Sequence, residues 1–173
     1  MKKFISIAIS LFMMAAPVFF TSCSKEDDLI PEEIGTSQSA AGTWIEPYHI
    51  KDASVDEVKA YMSQNKKEYQ LVSEGTNLAC FQLVYITGYG REGILYSFTR
   101  NTGLLYSVVD TEPMTNKSIV LDYLNSHYSL VDGVENSNTD ILYTYTNASK
   151  SLVLTMQAIT DEEFNVTYIF VTK

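Results

Sequence analysis

Two stretches of the chain place apolar residues at the spacing of an amphipathic helix. The apolar stripes are Val55, Val58 and Met62 in the first stretch and Ile119, Val120, Tyr123 and Leu124 in the second. Ser54 precedes the first stripe and Glu57 follows it by three residues, which is the spacing of a capping box. Thr115 or Asn116 takes the equivalent position before the second stripe. Each helix keeps a polar face, so each is expected to pack on another element through its apolar face.

Each predicted helix is followed by four segments rich in Val, Ile, Thr, Tyr and Phe, which favour β-strands. The predicted strands are 69–72, 79–87, 92–100 and 104–110 after the first helix, and 128–131, 140–146, 151–160 and 165–172 after the second. Turn residues such as Gly88, Gly90 and Gly103 separate them, and short connections require antiparallel pairing. The pattern predicts an α+β fold: two tandem helix-then-β-meander repeats, about 50–112 and 113–173, form one antiparallel sheet with both helices packed on one face.

Landmarks recur between these two repeats at an interval of about 60 residues. Tyr69-Gln70-Leu71-Val72 corresponds to Tyr128-Ser129-Leu130-Val131, and Tyr85 corresponds to Tyr145. This order of elements and its duplication resemble the β-lactamase-inhibitor-protein fold, and each repeat is similar to small outer-membrane lipoproteins of the barrel-assembly machinery. The resemblance covers about residues 50–173 without a specific motif. It therefore implies a fold and a binding role, but no site residues.

The beginning of the chain has the features of an export signal. Two lysines precede an almost wholly apolar run at 4–20, and two small residues stand directly before Cys23. The arrangement resembles a bacterial lipoprotein signal, in which residues 1–22 are removed and Cys23 becomes a lipid-modified N-terminus carrying fatty acyl groups such as palmitate. Phe20 departs from the family pattern, which has Leu, Val or Ile at that position. The alternatives are an ordinary secretory signal and an uncleaved N-terminal helix.

Residues 23–43 form an acidic, polar stretch, which predicts a lipidated tether in front of a single domain at 44–173. The acidic tract at 24–28 resembles the one that follows the lipidated cysteine in surface-exported lipoproteins of Bacteroides-like bacteria. The expected location is therefore the outer membrane, with the domain lipid-anchored at the cell surface; the periplasmic side is the alternative. Removal of residues 1–22 takes away two of twelve basic residues, and twenty-one acidic ones remain, so the net charge becomes −11. That charge excludes nucleic acid as an expected partner.

Twelve tyrosines lie in the predicted domain, and rings of this kind suit a binding face for a protein or a carbohydrate. The alternative is that they line the core between sheet and helices. Tyr89, between two glycines at a hairpin tip, and Trp44, just before the first helix, are the individual candidates for partner contact. For Tyr89 the alternative is an exposed tip without a partner, and for Trp44 it is closure of the core. Cys80 lies in an apolar run, which predicts a buried thiol.

The sequence contains no recognisable catalytic, cofactor-binding or metal-binding pattern. His49 and His127 lack a second ligand at zinc spacing, and no nucleophile motif accompanies the serines. Asp110 and Glu112 lie at a predicted strand end, where acidic residues usually solvate a turn, with calcium binding as the alternative. The sequence thus predicts a non-enzymatic envelope lipoprotein that is held on the membrane by lipid and binds a protein or carbohydrate. The alternatives are a periplasm-facing assembly factor or protein inhibitor, and a glycan-processing or other hydrolase.

Overall fold

The structure, a computed structural model, describes residues 44–88 and 90–171. Helix α1 spans Val55–Asn65, and helix α2 spans Lys117–His127 directly after a 3₁₀ turn at Met114–Asn116. The strands are β1 (Tyr69–Thr76), β2 (Cys80–Thr87), β3 (Gly93–Thr99), β4 (Leu105–Pro113), β5 (Ser129–Ser137), β6 (Asp140–Thr146), β7 (Leu152–Ala158) and β8 (Glu163–Phe170). The predicted signal peptide at 1–22, Cys23, the tether at 23–43 and Tyr89 lie outside the described residues. Within the described part of the chain, neither helix has the length and apolar character needed to span a bilayer.

All eight strands belong to one antiparallel sheet with the order β1-β2-β3-β4-β8-β7-β6-β5. The first four strands form one meander and the last four form another. The two meanders join where β4 pairs with β8 in the middle of the sheet. Strands β1 and β5 are therefore the two edges of the sheet.

The predicted fold class is wrong. Strands hold about 50% of the structure and helices about 20%, so the domain is a mainly β structure and not a pair of α+β repeats under two packed helices. The difference arises at the edges, where β1 reaches Thr76 and β5 reaches Ser137 although the sequence predicted only 69–72 and 128–131. Eight strands spaced by about 4.8 Å span roughly 34 Å, whereas two helices of about 10 Å diameter cover about 20 Å. Accordingly, all of β5 is exposed, and Tyr69 is the only buried residue of β1.

The core lies on one face of the sheet. Along the inner strands, buried side chains alternate with half-buried ones, as with Leu83 and Tyr85 of β2. Each helix contributes two buried side chains to the same core, and these are Val58, Met62, Val120 and Leu124. The buried thiol predicted for Cys80 is confirmed, since this residue is only 4% exposed.

The two helices begin differently. At α1 the predicted capping box is confirmed: the Glu57 amide donates to Ser54 Oγ at 3.3 Å, and the Ser54 amide donates to Glu57 Oε2 at 2.7 Å. At α2 the predicted side-chain cap is wrong, because Asn116 makes no capping hydrogen bond. Its Nδ2 donates instead to Glu112 Oε2 at 2.7 Å, which ties the start of α2 to strand β4.

Candidate functional site

The tyrosines do not form the predicted binding face. Tyr69, Tyr85, Tyr96, Tyr145 and Tyr168 are buried in the core, and Tyr48, Tyr61, Tyr123, Tyr128 and Tyr143 are half-buried and packed against it. These rings lie in phase with buried aliphatic residues, as Tyr85 does with Leu83 and Tyr96 with Ile94. Among the described tyrosines, Tyr106 alone lies elsewhere, in an irregularity of the β3–β4 pairing. The expectation that sheet-face tyrosines carry the partner contacts is therefore wrong, and the core alternative holds for these residues.

The sheet face opposite the core is almost free of charge. The strand register aligns its side chains in three rows that cross all eight strands, and we call these rows the neutral face. From β1 to β5 the rows are Ser73, Val84, Leu95, Val109, Thr167, Thr155, Thr144 and Asp132; Gly75, Gln82, Ser97, Ser107, Ile169, Val153, Thr146 and Ser129; and Gln70, Ile86, Gly93, Thr111, Asn165, Gln157, Leu142 and Val134. Asp132 is the only charged residue among them.

The neutral face has the composition of a contact surface. Aliphatic side chains such as Leu95 and Val109 alternate across it with hydroxyl and amide groups, most of them half-buried by their neighbours. Some of these polar groups bond to one another, as Thr111 Oγ1 does in donating to Asn165 Oδ1 at 2.8 Å. Depletion of charge distinguishes the centre of protein interfaces from the rest of a protein surface. On a domain this acidic, an uncharged face is the surface best suited to lie against another molecule.

A second feature lies on the core side of the sheet, where residues 44–50 cross the helices as an irregular segment that we call the strap. Together with one side chain from each helix, the strap lines a cleft of about 490 Å³. The lining residues are Trp44, Ile45, Glu46, Pro47, Tyr48, His49, Ile50, Tyr61 of α1 and Tyr123 of α2. Within this lining there is neither a lysine nor an arginine.

Glu46 is the centre of a hydrogen-bond network that holds the strap. Its Oε2 accepts from the Tyr123 hydroxyl at 3.0 Å, and its Oε1 accepts from the Tyr128 hydroxyl at 2.6 Å. Its main-chain carbonyl accepts from the Tyr61 hydroxyl at 3.1 Å. Burial, together with the neighbouring Glu46 carboxylate, raises the pKa of Tyr123 to about 12 and raises that of Tyr128 further. All three phenols therefore stay protonated as donors.

His49 joins this network from the strap. Its Nδ1 lies 2.8 Å from the Pro47 carbonyl oxygen and must carry a hydrogen, because a carbonyl can only accept. Its Nε2 lies 3.2 Å from the Tyr128 hydroxyl and 3.9 Å from Glu46 Oε2, and its ring stacks on Tyr168 with 4.9 Å between centroids. Both nitrogens and both carboxylate oxygens are thus engaged in holding the strap.

Next to the strap, strand β4 buries two acidic residues, whereas the sequence placed them in a solvated turn. Glu112 Oε1 accepts from Trp44 Nε1 at 3.1 Å, and burial raises the Glu112 pKa. Asp110 is fully buried, and no described residue donates a hydrogen bond to either of its oxygens. Burial and repulsion from Glu112 raise the Asp110 pKa well above its ordinary value, while the nearby Lys66 ammonium opposes this rise. The calcium alternative finds no further ligand, since the described residues contain no group of three potential metal ligands.

The structure places the predicted partner-binding residues as follows. Trp44 is 7% exposed and packs edge-on against Tyr123 with 5.0 Å between centroids, so it closes the core and offers no free ring face. Tyr89 and the lipid-attachment residue Cys23 lie outside the described residues, and both stay predictions. Sequence reasoning missed Glu46 and Tyr128, which are separated by 82 residues and have no spacing that links them.

Comparison with family models, with curated proteins and with solved structures finds no match to this chain. The resemblances to lipoprotein signals and to the barrel-assembly lipoproteins therefore stay predictions. Function has to be argued from the neutral face and the cleft.

Proposed function

We propose that this chain is a non-enzymatic cell-envelope lipoprotein whose folded domain binds a protein or carbohydrate partner through the neutral face. The observation that carries this proposal is the single charge among the three residue rows of that face, on a chain with twenty-one acidic residues. A surface without charge loses little hydration energy when a partner covers it. Aromatic rings for sugar stacking are absent from the three rows, so the chemistry favours a protein partner over a carbohydrate.

The lipoprotein part of the proposal is supported by the resemblance of residues 1–23 to a lipidation signal. A multiply acylated Cys23 holds a small domain firmly on a bilayer, since each buried methylene contributes about 0.8 kcal/mol. The proposed location is the outer membrane with the domain outside the cell. Mass spectrometry of the native protein tests the acyl groups, and protease treatment of intact cells separates surface display from a periplasm-facing assembly factor or inhibitor.

A binding role accounts for the cleft better than a hydrolase does. Glu46 and His49 form an interacting acid–base pair in a concave site, which is the minimum that the hydrolase alternative requires. Both oxygens of Glu46 already accept phenol hydrogens, however, and Nδ1 of His49 is donated to a carbonyl. A Glu46→Gln variant tests this point: a hydrolytic activity found on a broad substrate panel and abolished by the substitution would overturn the binding proposal.

The binding proposal itself is tested with a photo-crosslinking residue placed on the neutral face. Thr155, half-buried in the middle of β7, is the target position, and exposed Gln64 on α1 is the matched control. In the cells that make the protein, we expect a discrete adduct from position 155 that disappears when Thr144→Arg brings a charge onto the neighbouring position. Equal adducts from both positions, or an adduct that is insensitive to Thr144→Arg, would show that the neutral face is not the contact surface.

A further inference from the structure

The cleft beside the strap combines aromatic rings with an aliphatic rim. Tyr48 and Tyr61 form a tilted ring pair with 5.0 Å between centroids, and both are half-exposed. Ile45 and Ile50 flank them and are 48% and 58% exposed, which is unusual for isoleucine. The cleft thus presents ring faces for one kind of group and an alkyl surface for another, on the opposite side of the sheet from the neutral face.

The hydrogen-bonding capacity of the cleft is one-sided. The hydroxyl hydrogens of Tyr61 and Tyr123 are both donated to Glu46, so their oxygens retain only acceptor capacity toward a ligand. The carboxylate of Glu46 lies behind these phenols and is 13% exposed. Since no lysine or arginine lines the cleft, an anionic group would meet acceptors and no cation. A ligand that only donates hydrogen bonds and carries positive charge meets a complementary surface.

We propose that the cleft is a docking site for a lysine side chain of a protein partner. The ammonium group would lie over the Tyr48–Tyr61 ring pair, because a cation is attracted to an aromatic face within about 6 Å of its centroid. The butyl stem would pack on Ile45 and Ile50, as lysine stems do on apolar surface. The rim and the ring pair together select lysine over a small inorganic cation, which cannot use the rim. This inference does not depend on the neutral face.

The test is an NMR titration of the complete mature chain, residues 23–173, with three capped amino acids of similar shape. They are N-acetyl-lysine-N-methylamide, its Nε-acetylated form, and N-acetyl-norleucine-N-methylamide, which has the alkyl stem without the charge. At pH 8.5 an ordinary imidazole is uncharged, so His49 would not repel the probe. The lysine probe should bind about fivefold to about thirtyfold more tightly than the other two, with amide shifts in residues 44–50 and around Tyr61.

Two substitutions separate ring contact from general disturbance. Tyr48→Leu removes one ring and should abolish the preference for lysine, whereas Tyr48→Phe keeps the ring face and should retain it. Tyr106→Leu, a half-buried tyrosine outside the cleft, is the matched control and should leave the titration unchanged. Equal affinity for the three probes, or a preference for lysine that survives in Tyr48→Leu, would overturn the proposal. Absence of binding by all three probes would also overturn it.

Discussion

Asp110 provides the most direct test of how the polar interior affects stability. Its side chain is fully buried in β4, directly opposite Ile94 of β3 and Val166 of β8. Neither carboxylate oxygen receives a hydrogen bond from a described residue. Burial, with a smaller contribution from Glu112, raises the Asp110 pKa well above 3.8. The native state therefore holds this proton over a pH range in which the unfolded chain has lost it.

The sign of the effect follows from proton linkage. A carboxyl group whose pKa is raised on folding costs nothing below its ordinary pKa, and its cost grows as the pH rises from about 3.8 toward the folded pKa. Each pKa unit corresponds to about 1.36 kcal/mol of unfolding free energy. Asp110→Asn keeps the size of the side chain and removes the ionisation. Relative to the unsubstituted protein, the variant should gain at least about 1.4 kcal/mol between pH 4 and pH 8.

Urea denaturation of both proteins at pH 4, 6 and 8 measures this difference. Glu112 titrates in the same direction, but it is present in both proteins, so most of its contribution cancels. Asp161→Asn, in the exposed turn between β7 and β8, is the matched control and should show a difference that does not change with pH. If the Asn variant has a pH-independent stability difference, or is less stable at pH 8 than at pH 4 relative to the parent, Asp110 is not the buried acid described here.

Two further substitutions test local packing. A Cβ on Gly133 of β5 would lie 2.7 Å from a ring carbon of Tyr143, so Gly133→Ala should lower the unfolding free energy by about 1–3 kcal/mol, whereas Gly75→Ala on the other edge strand meets no atom within 4 Å and should change little. Ser54→Ala removes the cap of α1 and should cost about 1 kcal/mol, with Ser63→Ala in the last part of the helix as control. Thermal and urea unfolding measure both pairs. Equal effects within either pair would contradict the geometry.

The interior strands were predictable because their alternation is regular and their turns are short. Strand β2 was expected at 79–87 and is observed at Cys80–Thr87. The edge strands were not predictable beyond their first residues. The second half of β5 reads Gly-Val-Glu-Asn-Ser, a composition typical of a turn, and it is fully exposed. It is a strand because its backbone pairs with β6, so a tertiary contact overrides the local preference.

The buried face could not be chosen from the sequence because both faces of the inner strands carry apolar residues. In β2, Leu83 and Tyr85 point to the core, while Val84 and Ile86 lie on the neutral face. The pattern therefore lacks the polar contrast that identifies a solvent face. The cleft had no sequence signal either, since Glu46 meets its phenol partners across 77 and 82 residues.

The two proposed contact regions are on opposite sides of one sheet, and β4 is the element that connects them. Along this strand Val109 belongs to the neutral face, while Asp110 on the other side belongs to the core. Because sites this far apart with no shared partner usually act independently, Thr155→Arg and Tyr48→Leu should have additive effects on the binding of a partner that uses both. A coupling between them would mean that β4 transmits a change from one face to the other. Its buried, unpartnered carboxyl is the group whose protonation such a change would alter.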